Sequence, residues 1–277
     1  MASSSTGRHP RVLYDCDVPP GPSIHAWRPP LDGVVEVLHA SFGSHAYPMH
    51  AHDAWTLLLV DNGAVRYDLD RHERGAYGRL VTLLPPKVPH NGAAADGHGF
   101  RKRVLYLEPA QLPDRLIGAA VDEPALLDPG LHRMISTVHR LIRSPGDEPA
   151  ADDLLAVSLE RLRTRLADHQ APPPHPGAAR NLRDLLESHL VGGLSLRAAS
   201  GELHFTPAHL VRSFRREYGM TPHQYVISRR VDLARRLILS GHPLSAVAVR
   251  SGFYDQPHLV RHFKRILGVV PSRFTTA

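Results

Sequence analysis

Three histidines and two helical faces carry the chemistry open to this sequence. His50 and His52 stand two residues apart in His50-Ala51-His52, and along an extended strand such residues point to the same side. His90, closing Pro85-Pro86-Lys87-Val88-Pro89-His90, offers a third imidazole from a separate stretch. Three such nitrogens are a donor set for zinc, iron or manganese, or a polar lining for a small-molecule pocket. With Trp55 they make the candidate ligand-binding set His50, His52, Trp55 and His90. Near the C-terminus, one helical face carries Gln256, Val260, Arg261, Lys264 and Arg265, with Pro257 at its start, opposite Leu259 and Phe263. Amide and guanidinium groups placed this way can hydrogen-bond to base edges and phosphates. A matching face upstream carries Ala208, His209, Val211, Arg212, Arg215 and Arg216, with Ser213 also turned outward and Leu210, Phe214 and Tyr218 inward. Arg212 and Arg261 occupy equivalent places, each two residues before a phenylalanine.

The histidines need strands to hold them. From Gly33 to Leu107, short alternating runs (VVEVLHASF, WTLLLV, AVRYDLD, LVTLLPP, RKRVLYLEP) are separated by turn residues, which predicts a small antiparallel barrel or jelly roll over 31–110. Asn62-Gly63 predicts a hairpin between two of them. Beyond Pro109 the apolar period lengthens from two to about 3.6, predicting helices over 111–169. Leu154, Leu155, Leu159, Leu162 and Leu166 form a stripe that either covers the chain's own barrel or makes a homodimer interface. Residues 1–30 read as a flexible arm broken by Pro19-Pro20 and Pro29-Pro30, and the proline-rich stretch 170–177 as a linker.

The outward arginines need helices. An apolar-periodic helix near Asn181 to Leu190 precedes a first helix-turn-helix, SLRAASGEL-HF-TPAHLVRSFRREYG, whose second helix has Thr206 as cap and Pro207 at its first position. A long helix from Thr221-Pro222 toward Gly241 follows. A second helix-turn-helix then has Ala248 at the helix crossing, Gly252 in the turn and Asp255 as cap. Together with Phe253, Gln256, His258, Arg261, Phe263, Gly268, Pro271 and the upstream Arg235-Arg236-Leu237-Leu239, this stretch resembles the C-terminal domain of the AraC/XylS family of transcription regulators, over residues 178–277. More weakly, the barrel resembles the cupin-like effector-binding domain that often precedes it. The resemblance departs at Ser200 and His204, where the family usually has Ala and a turn Gly. It departs also at the metal motifs: Thr56 and Leu57 stand where cupin enzymes place a ligand Glu, and Lys87 where they place a glycine.

Charge agrees with a nucleic-acid partner. Residues 178–277 hold 15 Lys and Arg against 6 Asp and Glu, a net of +9, while residues 1–177 hold 18 against 21. The basic residues are spread over several short helices, not along one amphipathic face, which disfavours a membrane surface. Cys16 is the single cysteine, and MASSSTGRHP lacks the apolar core of a signal peptide, so a cytoplasmic location is expected.

The expected molecule is thus α+β and multidomain: a barrel with trailing helices, then two helix-turn-helix units joined by a long helix. Its expected function is sequence-specific binding of promoter DNA under the control of a small-molecule effector. RNA polymerase and a second copy of the chain are further candidate partners. No catalytic residue, metal or cofactor is expected. Two readings from other classes compete: a metal-dependent cupin enzyme with an appended DNA-binding module, motivated by His50, His52 and His90, and a ligand-independent DNA-binding protein whose barrel mediates association.

Overall fold

A computed structural model describes residues 22–167 and 177–274. Strand β4 (Trp55–Leu69) is the spine of the N-terminal region. Around it lie β1 (Ser23–Trp27), β2 (Val34–Phe42), β3 (Tyr47–His50), β5 (His72–Tyr77), β6 (Leu80–Leu84), β7 (His90–Ala94), β8 (Phe100–Leu107) and β9 (Ala125–Leu127). The near half of β4 belongs to a layer ordered β1-β2-β8-β4-β6-β9, whereas its far half pairs with β5 and β7, and β7 in turn with β3. Every pairing is antiparallel. β4 thus joins the two layers across its bulge, and residues of both enter one apolar cluster, as the jelly-roll reading expects.

The Asn62-Gly63 hairpin does not exist. β4 runs through it with a bulge between Val60 and Asn62, and Gly63 has φ 72°. A Cβ there would lie 2.2 Å from the Gly99 carbonyl oxygen, so this glycine permits close approach of two backbones and not chain reversal. The reversal comes at Asp70-Arg71, with φ 47° and 66°, between the paired residues Leu69 and His72. Positive φ at both central residues is the backbone of a two-residue hairpin turn. The arm reading fails for Ser23–Trp27, which pairs with β2 in full register. Residues 1–21 of the proposed arm and residues 170–176 of the linker lie outside the described residues.

Helices α1 (Ile117–Asp122), α2 (Pro129–Leu141) and α3 (Glu148–Ala167) back the first layer. Leu155, Leu159, Leu162 and Leu166 are buried in one core with Val37, Leu57, Leu105 and Leu131, so the leucine stripe covers its own sheet. In the C-terminal region α4 (Ala178–Ser188) precedes the first helix-turn-helix, α5 (Leu196–Leu203) and α6 (Pro207–Tyr218). The long helix α7 (Pro222–Leu239) joins it to the second, α8 (Leu244–Arg250) and α9 (Gln256–Leu267). The caps form as read: Thr206 accepts from His209 N at 3.2 Å, Asp255 from His258 N at 2.7 Å, and Thr221 with Gln224 makes a reciprocal capping box. His204 takes the left-handed conformation with φ 57°, and the Ser200 hydroxyl donates to the Phe205 carbonyl. Both departures from the family pattern therefore belong to one turn.

The first helix-turn-helix centres on Leu182, Leu210, Phe214 and Tyr225, a cluster that Ala51 of the N-terminal region also enters. The second shares much more. Ile227, Val231 and Ala234 of α7, with Phe263, Leu267 and Phe274, belong to the same apolar cluster as Leu38, Leu58, Val65 and Tyr106 of the strands.

Candidate ligand chamber and nucleic-acid interface

His50 ends β3, His90 opens β7 opposite it in the antiparallel register, and His52 follows in the short segment leading to β4. All three are buried, with exposures of 4–5%, and one ring nitrogen from each lies within 4.8 Å of the others. Their Nδ1 atoms are engaged elsewhere: His50 with the Pro48 carbonyl at 2.7 Å, His90 with the Val88 carbonyl at 3.1 Å, and His52 with Asp232 Oδ1 at 3.0 Å. Burial first, then repulsion from the neighbouring imidazoles, pushes His50 well below its usual value and His90 to about 3. Burial also takes His52 to about 4, against the pull of Asp232. Burial thus favours the neutral imidazole in all three.

The chamber they line holds about 40 Å³ and is also bounded by Tyr47, Thr56, Tyr106, Lys102, Arg235 and Leu267. Trp55 is a correction to the ligand set. It is fully buried on the other face of the sheet, where its Nε1 donates to the Leu112 carbonyl at 3.2 Å. Alternation along the strand puts Thr56, not Trp55, on the chamber side. Lys102 is half-buried as a residue, but its ammonium sits 4.1 Å over the Tyr47 ring. Burial, then the Arg235 charge, lowers it to about 7.

Part of the chamber wall comes from α7. Arg235 pairs with Glu36 of β2 and stacks 4.5 Å above the Tyr106 ring. Asp232 accepts from Arg229 at 2.7 Å and from the Asp53 backbone at 3.1 Å. Arg229 also reaches Glu187 at 2.7 Å and Asp53 at 3.2 Å. Burial alone would raise the Asp232 carboxyl, but His52, Arg229 and Arg236 hold it well below the usual carboxylate range. This latch was not identified from the sequence. Its signal there is the three-residue spacing of Arg229, Asp232 and Arg235, which puts them on one face of a helix but does not name Glu36 as the partner.

The opposite faces of α6 and α9 stay open. Ala208, His209, Arg212, Arg215, Arg216, Gln256, Pro257, Arg261, Lys264 and Arg265 are exposed, and Val211 and Val260 half-buried. Ser213 departs from the reading: it is buried, within 3.2 Å of His209 Nε2. The turn before α9 is tight, because a Cβ at Gly252 would lie 2.9 Å from the Val191 carbonyl oxygen, and its φ is +82°. No helix among the described residues is long and apolar enough to cross a membrane.

A β-chamber followed by two open helix-turn-helix faces defines a DNA-binding regulator with a ligand-binding domain. Family models bear this out: an AraC-like ligand binding domain matches residues 32–159 and a helix-turn-helix domain matches residues 199–277. The chain belongs to the AraC family of transcription regulators. It is 34% identical to the multiple antibiotic resistance protein MarA of Escherichia coli over 95 residues, which cover 34% of this chain and 75% of MarA. It is 30% identical to "Probable transcriptional regulator LumQ" of Photobacterium leiognathi over 154 residues, 53% of this chain and 60% of that protein's length. The crystal structure of unsaturated fatty acid bound ToxT from Vibrio cholerae shares the fold, with a TM-score of 0.59 and 14% identity, over 91% of this chain and 93% of ToxT.

Proposed function

We propose that this chain is a one-component, sequence-specific regulator of the cytoplasm, in which the N-terminal region senses a small solute and α7 carries its state to the DNA-binding helices. The observation that supports this is the shared wall: the chamber that holds His50, His52 and His90 is bounded by Arg235 and Leu267 of the DNA-binding region. An occupant that fills the chamber meets both regions at once. Of the DNA-facing set, Arg212 and Arg261 are assigned to base edges or phosphates, Gln256 and His209 to adenine, and Ala208, Val211, Pro257 and Val260 to apolar contact with thymine methyls. Arg215, Arg216, Lys264 and Arg265 are assigned to phosphates.

A fatty acid occupies the solved ToxT structure, and by that likeness an organic effector is proposed here too. Ligand pockets for such molecules run to about 300 Å³ or more, far above the 40 Å³ of this chamber. An organic effector must therefore widen the chamber to enter. The same shortage of space disfavours an enzyme, which needs room for substrate beside its histidines. RNA polymerase and a second protomer are retained as partners of the DNA-bound form.

Footprinting of the full chain on genomic promoter fragments tests this reading. The expected result is protection of two adjacent major-groove segments, spaced about one helical turn of roughly 34 Å, with an affinity that falls steeply with salt. Uniform, sequence-independent binding would overturn it.

A further inference from the structure

We propose that His50, His52 and His90 form a binding site for one divalent transition-metal ion, with Asp232 of the DNA-binding region as the carboxylate that orients His52. The expectation of no metal rests on the missing Glu ligand; the convergence of the three rings does not depend on it.

Hydrogen bonding selects the ligand atoms. A backbone carbonyl can only accept, so the Nδ1 atoms of His50 and His90 carry their protons toward Pro48 and Val88. The Asp232 carboxylate fixes the same tautomer in His52 at 3.0 Å. Arg235 Nη1 approaches that nitrogen less closely, at 3.3 Å, and its guanidinium is committed to Glu36. All three rings are thus left with an unprotonated Nε2, the form that binds a metal, and each has the outer hydrogen bond that holds a metal-ligating imidazole in place.

The distances are also near what an ion requires. One nitrogen from each ring lies within 4.8 Å of the other two, so the centre of a triangle of that size is no more than about 2.8 Å from each, and a movement of about 0.7 Å or less per ring reaches the 2.0–2.1 Å of a zinc–imidazole bond. Two further groups point to a polar occupant. Thr56 Oγ1 and Tyr47 OH are buried, line the chamber and have no hydrogen-bond partner among the described residues. Buried hydroxyls of this kind ordinarily have a partner, and a water on the ion would supply one. The volume of about 40 Å³ suits an ion with its water.

Charge narrows the choice of ion. Arg229, Arg235 and Arg236 of α7 are paired with Glu36, Asp53, Glu187 and Asp232, while Lys102, lowered to about 7 by burial, lines the chamber. Among the described residues no carboxylate lines the chamber, so it offers little to a cation held by electrostatics alone. It selects ions whose affinity comes from nitrogen ligation, zinc, cobalt(II) or nickel, over magnesium or calcium.

Cobalt(II) titration of the full, metal-stripped chain tests the site. The expected result is a visible d–d spectrum saturating at one equivalent, displaced by zinc. Loss of that spectrum is expected in His50→Gln and His90→Gln, and its retention in His258→Ala, which changes a histidine of α9. X-ray absorption of the zinc-loaded wild type should count three imidazole nitrogens, which decides the question even if a variant fails to fold. A folded chain without the spectrum, a spectrum kept in both variants, or fewer than three imidazoles overturns the site. Asp232→Asn should keep the nitrogen count and weaken cobalt binding about 10–100-fold, and zinc should slow amide exchange around Asp232 in the wild type. Undiminished affinity in that variant, or unchanged exchange, removes Asp232 from the proposal. The link to transcription rests on the regulator reading, and DNA affinity with and without zinc reports on it separately. Metal binding without specific DNA binding sinks the regulator and leaves the site standing; the converse does the reverse.

Discussion

Arg212 and Arg261 project from the open faces of α6 and α9, each on the side away from its buried phenylalanine. Truncation opens no cavity, so Arg212→Ala and Arg261→Ala should alter stability by less than about 0.5 kcal/mol. DNA binding should weaken instead. For Arg261→Ala a loss of about 1–3 kcal/mol concentrated at one base pair is expected, measured by competition against operator variants; equal loss on random DNA would make it a phosphate anchor. The second unit is expected to matter more for specificity, because its turn is built on Gly252 while the first strains His204 into φ 57°. Gly252→Ala meets the Val191 carbonyl at 2.9 Å from a φ of +82°, and should cost about 1–3 kcal/mol in urea melts. An unchanged midpoint would mean that the turn relaxes freely. These residues were legible in the sequence because a helical face, a cap and a turn glycine are local patterns. Trp55 was misplaced for a local reason as well: with strands, an error of one residue exchanges the two faces.

At the scale of the element, α7 is a latch as much as a spacer. Its 18 residues give about 27 Å of rigid connection between the two DNA-facing units, as its length in the sequence implies. What could not be read is its inward face. Arg229 and Arg235 count toward the basic surplus of the C-terminal half, yet both are about 1% exposed and answer carboxylates from distant parts of the chain, Glu36 lying 199 positions before Arg235. Charge composition does not distinguish a residue facing phosphate from one facing a buried glutamate. Arg235→Met leaves Glu36 buried without its partner and should cost about 3–5 kcal/mol. Adding Glu36→Leu should recover most of that loss, since the pair is then replaced by apolar contacts. A thermodynamic cycle by urea unfolding checks this; additive losses would show that the two side chains do not act as a pair. Nearby elements show the same limit. β4 with its bulge, β1 and the leucine-striped α3 owe their final roles to long-range pairing, and only their existence or periodicity is written locally.

Over the whole molecule, two features govern behaviour in solution. The first is acid sensitivity away from the chamber. His39 of β2 and His139 of α2 lie 3.2 Å apart, with Arg103, Arg143, His25 and Asp61 facing His39. Burial first, then Arg103, Arg143 and His25, lowers His39 to about 4 against the opposing pull of Asp61, and burial with His39 and Arg103 takes His139 well below its usual value. In the unfolded chain both accept a proton near pH 6.5. The unfolded state therefore binds more protons between about pH 6.5 and 4, and stability is full above that window and lost as pH falls through it. With His39 discounted for its partial exposure, the pair's share of the drop between pH 7 and 5 is on the order of 1 kcal/mol, or about 2–4 °C in melting temperature, added to that of the buried chamber histidines. A His39→Asn/His139→Leu variant should make the curve shallower by that share, and an unaltered pH profile would clear the pair of responsibility. The second feature is the apolar cluster that runs from the strands into α7, α9 and Phe274. Its consequence concerns modular engineering. A chimera that joins this sensor to another regulator's DNA reader at the 170–177 stretch would cut between separate sequences but through one interior, exposing half of a core on each side of the graft. The transplantable unit is therefore the strands together with the inward faces of α7 and α9, and a functional hybrid should be sought by exchanging only the outward residues of α6 and α9.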